Sequence, residues 1–225
     1  MTALEDPRWL ALSKERRDAL LEKHRNTNVE HVEWWDGVYE QFVESCTEKG
    51  IYVDTHDVRT VGGKTIAKHS IYFSGFWSQG DGACFEGWVD DWAKFLVAAG
   101  HPELVDLYEK FTVPLSLRWT HSGYYYHSSC TSFSSELWAA NPYGPDDDVL
   151  QHAAWSTVMK DGAIFDKQEN GFIEFVRGLM DQLYEDLEEE HDYLTSDEVV
   201  VEYILDHCAD ELVEDEEEEE LSLEH

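Results

Sequence analysis

The sequence lacks long hydrophobic runs and paired cysteines. No stretch approaches the roughly eighteen consecutive apolar residues that a membrane-spanning helix needs. The N-terminal stretch MTALEDPRWLALSKERR is charged and lacks the apolar region that a signal peptide contains. The cysteines, Cys46, Cys84, Cys130 and Cys208, form no CxxC pair, and this usage fits reduced thiols better than a disulfide framework. We therefore expect a cytoplasmic protein without membrane contact.

Motifs of the common catalytic and metal sites are also missing. The sequence contains no HExxH, GxGxxG or phosphate-loop lysine motif. The acidic groups at 90–91 and 146–148 lack the EF-hand pattern, so we interpret them as solvated. Basic patches with interleaved aromatic residues are absent, which argues against direct nucleic-acid binding. We expect no cofactor and no metal, and the sequence favours a non-catalytic role without deciding it.

Positive charge is scarce, with 16 Lys and Arg against 49 Asp and Glu, for a net charge of −33. The imbalance is concentrated in residues 136–225, which hold 3 basic and 29 acidic side chains. Such a field repels nucleic acid and attracts basic protein surfaces. The alternative explanation is solubility alone, in an acidic or halophilic host. The acidic side chains that we expect to face a partner are Glu185, Asp186, Glu188, Glu189, Glu190, Asp192, Glu202, Asp206, Asp210 and Glu211.

Apolar spacing and turn residues predict an α+β fold with helices packed mainly on one face of an antiparallel sheet. Ser13 is expected to cap the first helix. The predicted strands lie near 51–60, 65–74, 113–121 and 124–133, and the predicted helices at 28–48, 87–99 and 170–190. We expect one domain over residues 1–208. Residues 209–225 should form a disordered acidic tail, whose last letters, LEH, resemble the start of an expression tag.

The stretch IYFSGFWSQGDGACFEG, residues 71–87, is here called the glycine segment. Glycine at this density marks tight turns or close approach of the backbone to another group. Between the glycines lie Trp77, Ser78, Gln79 and Asp81, a mixture of aromatic and polar groups that suits a binding surface. The simpler alternative is a bulged hairpin whose aromatic residues belong to the core.

The stretch HSGYYYHSSCTSF, residues 121–133, is here called the tyrosine–histidine segment. If its residues alternate as in a strand, Tyr125 and His127 share a face, and a tight turn at 123 returns His121 to the same side. Adding Asp81 or Cys84 would complete a Cys/His/Asp site for nucleophilic or metal chemistry. A histidine among aromatic residues is more often a hydrogen-bonded core or groove residue, and we name no catalytic residue.

Four stretches together resemble a family of phage and bacterial proteins labelled "antitoxin of toxin-antitoxin stability system". They are RNTNVEHVEWWDGVYEQF, YFSGFWSQGDGACFEG, HSGYYYHSSCTSF and YEDLEEEHDYLTSDEVVVEYI, in this order, and the resemblance covers roughly residues 12–204. The resemblance implies a mobile-element setting and a protein partner. It does not identify a catalytic residue. Its matched polar positions, with Ser78 and His127 among them, are candidates for a shared site.

Three functions follow from these observations. The first is a phage or mobile-element inhibitor that binds the basic nucleic-acid surface of a host defence complex, such as a CRISPR effector or restriction enzyme. The second is an antitoxin whose acidic C-terminal segment orders on a basic toxin. The third is a small-ligand binder or enzyme built on the glycine segment and His127.

Overall fold

A computed structural model of the protein describes residues 2–30, 33–109, 115–137 and 149–213, and for residues 149–164 it describes the backbone alone. The helices are α1 (Pro7–Leu10), α2 (Lys14–His24), α3 (Thr27–Glu30), α4 (Asp36–Glu48), α5 (Trp92–Ala98), α6 (Val105–Tyr108), α7 (Val149–Leu194) and α8 (Asp197–His207). The strands are β1 (Ile51–Val53), β2 (Thr55–Arg59), β3 (Thr65–His69), β4 (Ile71–Phe73), β5 (Ala83–Phe85), β6 (Gly87–Val89), β7 (Ser116–His121) and β8 (Thr131–Glu136). The α+β class is confirmed. No described helix combines the length and hydropathy that a membrane span requires.

The chain divides into two compact units, whereas the sequence analysis treated residues 1–208 as one domain. The first unit contains Met1–Asp36 and Leu187–His225, and the second contains Gly37–Asp186.

The first unit is helical and has its own apolar core. Trp9, Leu12 and Leu20 pack with Val200, Val201, Ile204 and Leu205 of α8. The Arg25 guanidinium donates to the carbonyl oxygen of Thr195 at 2.9 Å and also pairs with Asp197. Ser13 caps α2 as predicted, because its hydroxyl oxygen accepts from the Arg16 amide at 3.2 Å.

The second unit contains an antiparallel sheet in the order β1-β6-β7-β8, with two further strand pairs, β2-β3 and β4-β5. Alternate residues of the sheet, such as Leu117 and Trp119, are buried. Trp119 meets Phe85 edge-on at a centroid distance of 5.5 Å, and Phe85 meets Phe42 of α4 at 5.0 Å. The opposite face carries Tyr52 stacked on Trp88 and is partly exposed. This alternation gives the sheet one buried face, and α4 packs on that side through Phe85.

Three residues join the strand pairs through a closed ring of backbone hydrogen bonds. Asp54 lies between β1 and β2, Ser70 between β3 and β4, and Glu86 between β5 and β6. The Asp54 amide donates to Glu86, the Glu86 amide donates to Ser70, and the Ser70 amide donates to Asp54, at 2.8–2.9 Å. Each predicted long strand, 51–60 and 65–74, is therefore present but changes its partner midway.

Several predicted boundaries are wrong. The helix expected at 28–48 is split into α3 and α4, with residues 33–35 non-helical between them. The helix expected at 87–99 begins only at Trp92, because residues 87–89 pair with β1 and β7. The helix expected at 170–190 extends over Val149–Leu194.

The strand expected at 124–133 is also wrong. Residues 124–127 lie in a loop, which the Ser122 amide closes by donating to the Cys130 carbonyl at 2.8 Å, and β8 begins at Thr131. The tail expected at 209–225 is wrong at its start, since Ala209–Leu212 forms a 3₁₀ helix. The predicted disorder of 214–225 and the predicted strand start at 113–114 lie outside the described residues.

Candidate functional site

The glycine segment is organised by the carboxylate of Asp81. One of its oxygens accepts from the backbone amide of Trp77 at 2.8 Å and from that of Ser78 at 2.6 Å. Gly75 has a φ of +68°, and the Asp81 carboxylate lies against it. An aspartate that accepts from nearby backbone amides holds a turn in one conformation. Asp81 therefore stabilises the loop, because its carboxylate accepts from backbone amides of the loop itself.

The tyrosine–histidine segment forms the connection between β7 and β8. Gly123 has a φ of +112°, a backbone conformation that favours glycine. The Cys130 amide donates to the His127 carbonyl at 2.8 Å, and the Ser132 hydroxyl donates to the Ser122 hydroxyl at 2.8 Å. These hydrogen bonds fix the loop that presents Tyr124, Tyr125 and Tyr126.

The structure brings the two segments together. Nε2 of His127 lies 3.3 Å from the carbonyl oxygen of Gln79. A Cβ at Gly80 would overlap the ring of Tyr125, and a Cβ at Gly82 would lie 3.0 Å from the carbonyl oxygen of Tyr126. Gly82 is therefore required by the close approach of the second loop's backbone, whereas Gly80 leaves room for the exposed ring of Tyr125.

Behind this contact lies a cluster of rings. Tyr72, His121 and Tyr126 meet one another at centroid distances of 5.1–5.5 Å. The Glu86 carboxylate accepts from the His121 amide at 2.9 Å. Burial, and after it the charge of Glu86, raises the pKa of Tyr72. These partly buried rings connect the tyrosine–histidine segment with β4.

The Cys/His/Asp combination raised by the sequence is not assembled for nucleophilic chemistry. Cys84 is fully buried, and burial raises the pKa of its thiol to about 12. The carboxylate of Asp81 accepts hydrogen bonds from backbone amides of its own loop. Nε2 of His121 lies 3.2 Å from the carbonyl oxygen of Tyr125. In the described part of the chain, the side chains grouped closely enough to hold a metal ion lie elsewhere, at His24, Cys208 and Glu211.

What the two segments do present is exposed aromatic surface, here called the loop surface and defined by Trp77, Tyr124 and Tyr125. These side chains are 79%, 88% and 51% exposed. Ser78 and Gln79 are exposed beside them. Exposed tryptophan and tyrosine with neighbouring polar groups are typical of binding surfaces. The sequence analysis missed Tyr72, Tyr124 and Tyr126, although all three belong to the quoted motifs.

The predicted acidic surface is largely available. Glu185, Glu188, Glu189, Asp192, Glu202, Asp206 and Asp210 are exposed, while Asp186 and Glu190 are half-buried. Glu211 is different, because its carboxylate pairs with Lys23 at 2.6 Å and with His24 at 3.3 Å. The charge of Glu211 is therefore already paired within the first unit, and its place in a partner-binding surface stays a prediction.

On α8 the carboxylates form a regular row. Glu198, Glu202 and Asp206 recur every four residues and are exposed, whereas Val200, Val201 and Ile204 are buried. We call these three acids the α8 carboxylate row. The row lines an open cleft of about 330 Å³ together with Thr2, Asp6 and Arg8. Arg8 is the cleft's basic side chain, and it already pairs with Asp6 at 3.0 Å.

Fold and surface together define an α+β protein with an exposed aromatic loop surface and strongly acidic helices. The chain belongs to the family described as a domain of unknown function, DUF8835, whose model matches residues 34–197. No curated protein and no solved structure matches the chain. The family region includes both loop segments, while α1, α2 and nearly all of α8 lie outside it.

Proposed function

We propose that the protein is an acidic inhibitor from a phage or other mobile element. It binds the basic nucleic-acid surface of a host defence complex, such as a CRISPR effector or restriction enzyme. The observation that carries the proposal is the α8 carboxylate row, which lies on the exposed side of a helix whose other side is buried in the core of the first unit. Carboxylates held on a packed helix form a fixed array rather than a flexible charged coil.

The spacing of this row supports the proposal. Residues four apart on a helix rise by about 6 Å, so the row carries its charges at regular intervals along one side. A nucleic-acid groove on a protein is likewise lined by lysine and arginine placed to meet a periodic row of phosphates. The cleft beside the row adds Asp6 to the acids that a basic side chain would meet.

The second acidic stretch, on the C-terminal part of α7, also points its charge outward. Leu187 is fully buried, while Glu188, Glu189 and Asp192 are exposed. Such a surface would bind a basic partner in a way that weakens as salt screens the charges.

The test compares two triple variants of equal charge. E198Q/E202Q/D206N removes the α8 carboxylate row, and E40Q/E44Q/E48Q removes three exposed acids with the same spacing on α4. Each immobilised protein is exposed to nuclease-treated host lysate and washed with increasing salt, and the eluates are identified by mass spectrometry. A captured nucleic-acid-processing complex is then purified, and its nucleic-acid binding is measured with each variant as competitor.

We expect wild type and the α4 variant to capture the complex, release it as salt rises and inhibit its nucleic-acid binding. The α8 variant should do none of these. Equal capture by both variants, or capture that does not respond to salt, would contradict the proposal. Recovery of a small basic toxin instead would favour the antitoxin alternative.

A second candidate, a small-ligand binder at the loop surface, is favoured by the exposed aromatic side chains of Tyr124 and Tyr125. Thermal shifts with nucleotides and common metabolites test it. A ligand whose stabilising effect is lost in Y124A/Y125A and kept in the α8 variant would support this candidate.

A further inference from the structure

A group of three different metal-binding side chains lies in the first unit, and none of them belongs to the α8 carboxylate row. His24 is the last residue of α2, Cys208 follows the end of α8, and Glu211 lies on the 3₁₀ helix Ala209–Leu212. One donor atom from each, an imidazole nitrogen, the thiol sulfur and a carboxylate oxygen, can be chosen so that all lie within 4.8 Å of one another. The fold thus collects these donors from positions up to 187 residues apart.

The donor set is the one that zinc prefers. Zn²⁺ binds cysteine sulfur at about 2.3 Å, histidine nitrogen at about 2.0–2.1 Å and carboxylate oxygen at about 2.0–2.2 Å, in tetrahedral geometry. The edges of such a tetrahedron measure about 3.3–3.7 Å. Donors within 4.8 Å of one another therefore need to approach by no more than about 1.5 Å to reach these edges. Magnesium and calcium prefer oxygen ligands throughout, so the thiol and imidazole select against them.

The carboxylate is already anchored. Lys23 donates to one oxygen of Glu211 at 2.6 Å, and the Arg16 guanidinium donates to the Glu211 backbone carbonyl at 3.2 Å. Nε2 of His24 lies 3.3 Å from both carboxylate oxygens. One oxygen can bind a metal while the other keeps Lys23.

The supporting structure is packed rather than mobile surface. Leu20 of α2 and Ile204 and Leu205 of α8 are buried in the same core, and Cys208 and Leu212 pack against that core. The side chains of His24 and Glu211 are 12% and 22% exposed, so the donors are shielded but reachable. These features match a site on rigid elements with an outer-shell partner in place.

We propose that His24, Cys208 and Glu211 bind Zn²⁺, with a fourth position open to water. On binding, the neutral imidazole and the carboxylate donate lone pairs, and the Cys208 thiol loses its proton to solvent as its sulfur joins the metal. The ion would fasten the chain immediately before the acidic run 214–220 to the end of α2. This site is independent of the function proposed above.

The experiment uses Co²⁺ as a spectroscopic probe on the full chain without an affinity tag. A cobalt–thiolate bond gives a charge-transfer absorption in the near ultraviolet, which oxygen ligands of the acidic run cannot give. We expect one equivalent of Co²⁺ to produce this band and Zn²⁺ to abolish it. C208S should lose the band, and the matched control C130S, at a cysteine of similar partial burial in the second unit, should keep it.

Affinity and stability provide a second readout. Loss of an outer-shell partner weakens metal binding roughly 10–100-fold. H24Q and E211Q each remove a direct ligand, so each should weaken Zn²⁺ binding by at least that factor. Zn²⁺ should raise the melting temperature of wild type but not of C208S, while the two should melt alike in a chelator. Absence of the cobalt band in wild type, its persistence in C208S, or its loss in C130S would overturn the proposal.

Discussion

Nε2 of His127 lies 3.3 Å from the carbonyl oxygen of Gln79 and joins two loops separated by 48 residues. Because a carbonyl oxygen only accepts, the imidazole donates here from Nε2. Together with the close approach of the second loop to Gly80 and Gly82, this contact holds the two loops against each other.

The first prediction concerns Gly82. G82A should lower the free energy of unfolding by about 1–3 kcal/mol, because its Cβ would press on the backbone of Tyr126 and His127. G178A on α7 is the control, since no atom lies within 4 Å of its added Cβ. That substitution should stabilise the protein by about 0.5–1 kcal/mol. Urea unfolding measures both, and a neutral G82A would contradict the close approach.

The second prediction concerns Asp81. D81A removes the acceptor for the amides of Trp77 and Ser78, which should cost about 1 kcal/mol. Hydrogen exchange at these two amides should quicken more than exchange in the central sheet. D90A, which alters an exposed carboxylate nine residues further along the chain, should leave both rates unchanged. Unaltered exchange in D81A would show that the loop is held by other contacts.

The third prediction concerns thiol reactivity. Burial raises the pKa of both Cys46 and Cys84 to about 12. At pH 8 the thiolate fraction of each is then on the order of 10⁻⁴. Alkylation of the native protein, mapped by mass spectrometry, should therefore leave these two cysteines unmodified while Cys130 reacts. Rapid labelling of Cys84 would be incompatible with its position in the core.

The fourth prediction concerns acid stability at Asp6. Hydrogen bonds from the side chain and amide of Arg8 hold the pKa of Asp6 below its ordinary value of 3.8. A depressed pKa means that the charged group stabilises the fold above pH 3.8, and that this contribution disappears as pH falls through the folded-state value. D6N keeps a capping oxygen but loses the charge. Its urea midpoint should be lower than that of wild type at pH 7, and the difference should shrink below pH 3.8.

A suitable control for this pH experiment is D181N, which removes an exposed carboxylate on α7. Its midpoint should show no comparable loss at pH 7. A D6N deficit that stays constant down to acid pH would mean that the charge of Asp6 is not its source.

The fifth prediction concerns the α8 carboxylate row. E202Q/D206N relieves repulsion between acids four residues apart and removes a negative charge near a helix C-terminus. The free energy of unfolding should rise by about 0.5 kcal/mol at low salt and by less at high salt. Such a gain would show that the row costs stability, as expected for residues kept for binding. A loss of stability in the double variant would indicate a structural role instead.

Sequence reasoning succeeded where the physical cause was local. Ser13 was correctly placed as a helix cap because the cap depends on its own next three residues. The close backbone approach predicted from the glycine segment is present at Gly80 and Gly82. The function and partner inferred from charge remain predictions, since composition gives an electrostatic character and names no target.

Errors occurred where distant partners decide the structure. Trp88 was assigned to a helix from its spacing, but it pairs with Tyr52 and Arg118 in the sheet. The group at His24, Cys208 and Glu211 had no sequence signal, because its donors come from opposite ends of the chain. Residues 124–126 were predicted as part of a strand, but they form a loop that begins at the turn at Gly123.

The ring of hydrogen bonds through Asp54, Ser70 and Glu86 bears on how the second unit folds. Each amide in the ring needs the carbonyl of another junction between strands, so no single hairpin can complete it. The three junctions must meet before any of them is fully bonded, and the entropy of closing the intervening loops is lost first. We expect the sheet to form late and in one cooperative step, with a substitution at the buried Ser70 slowing folding more than one at an exposed strand position.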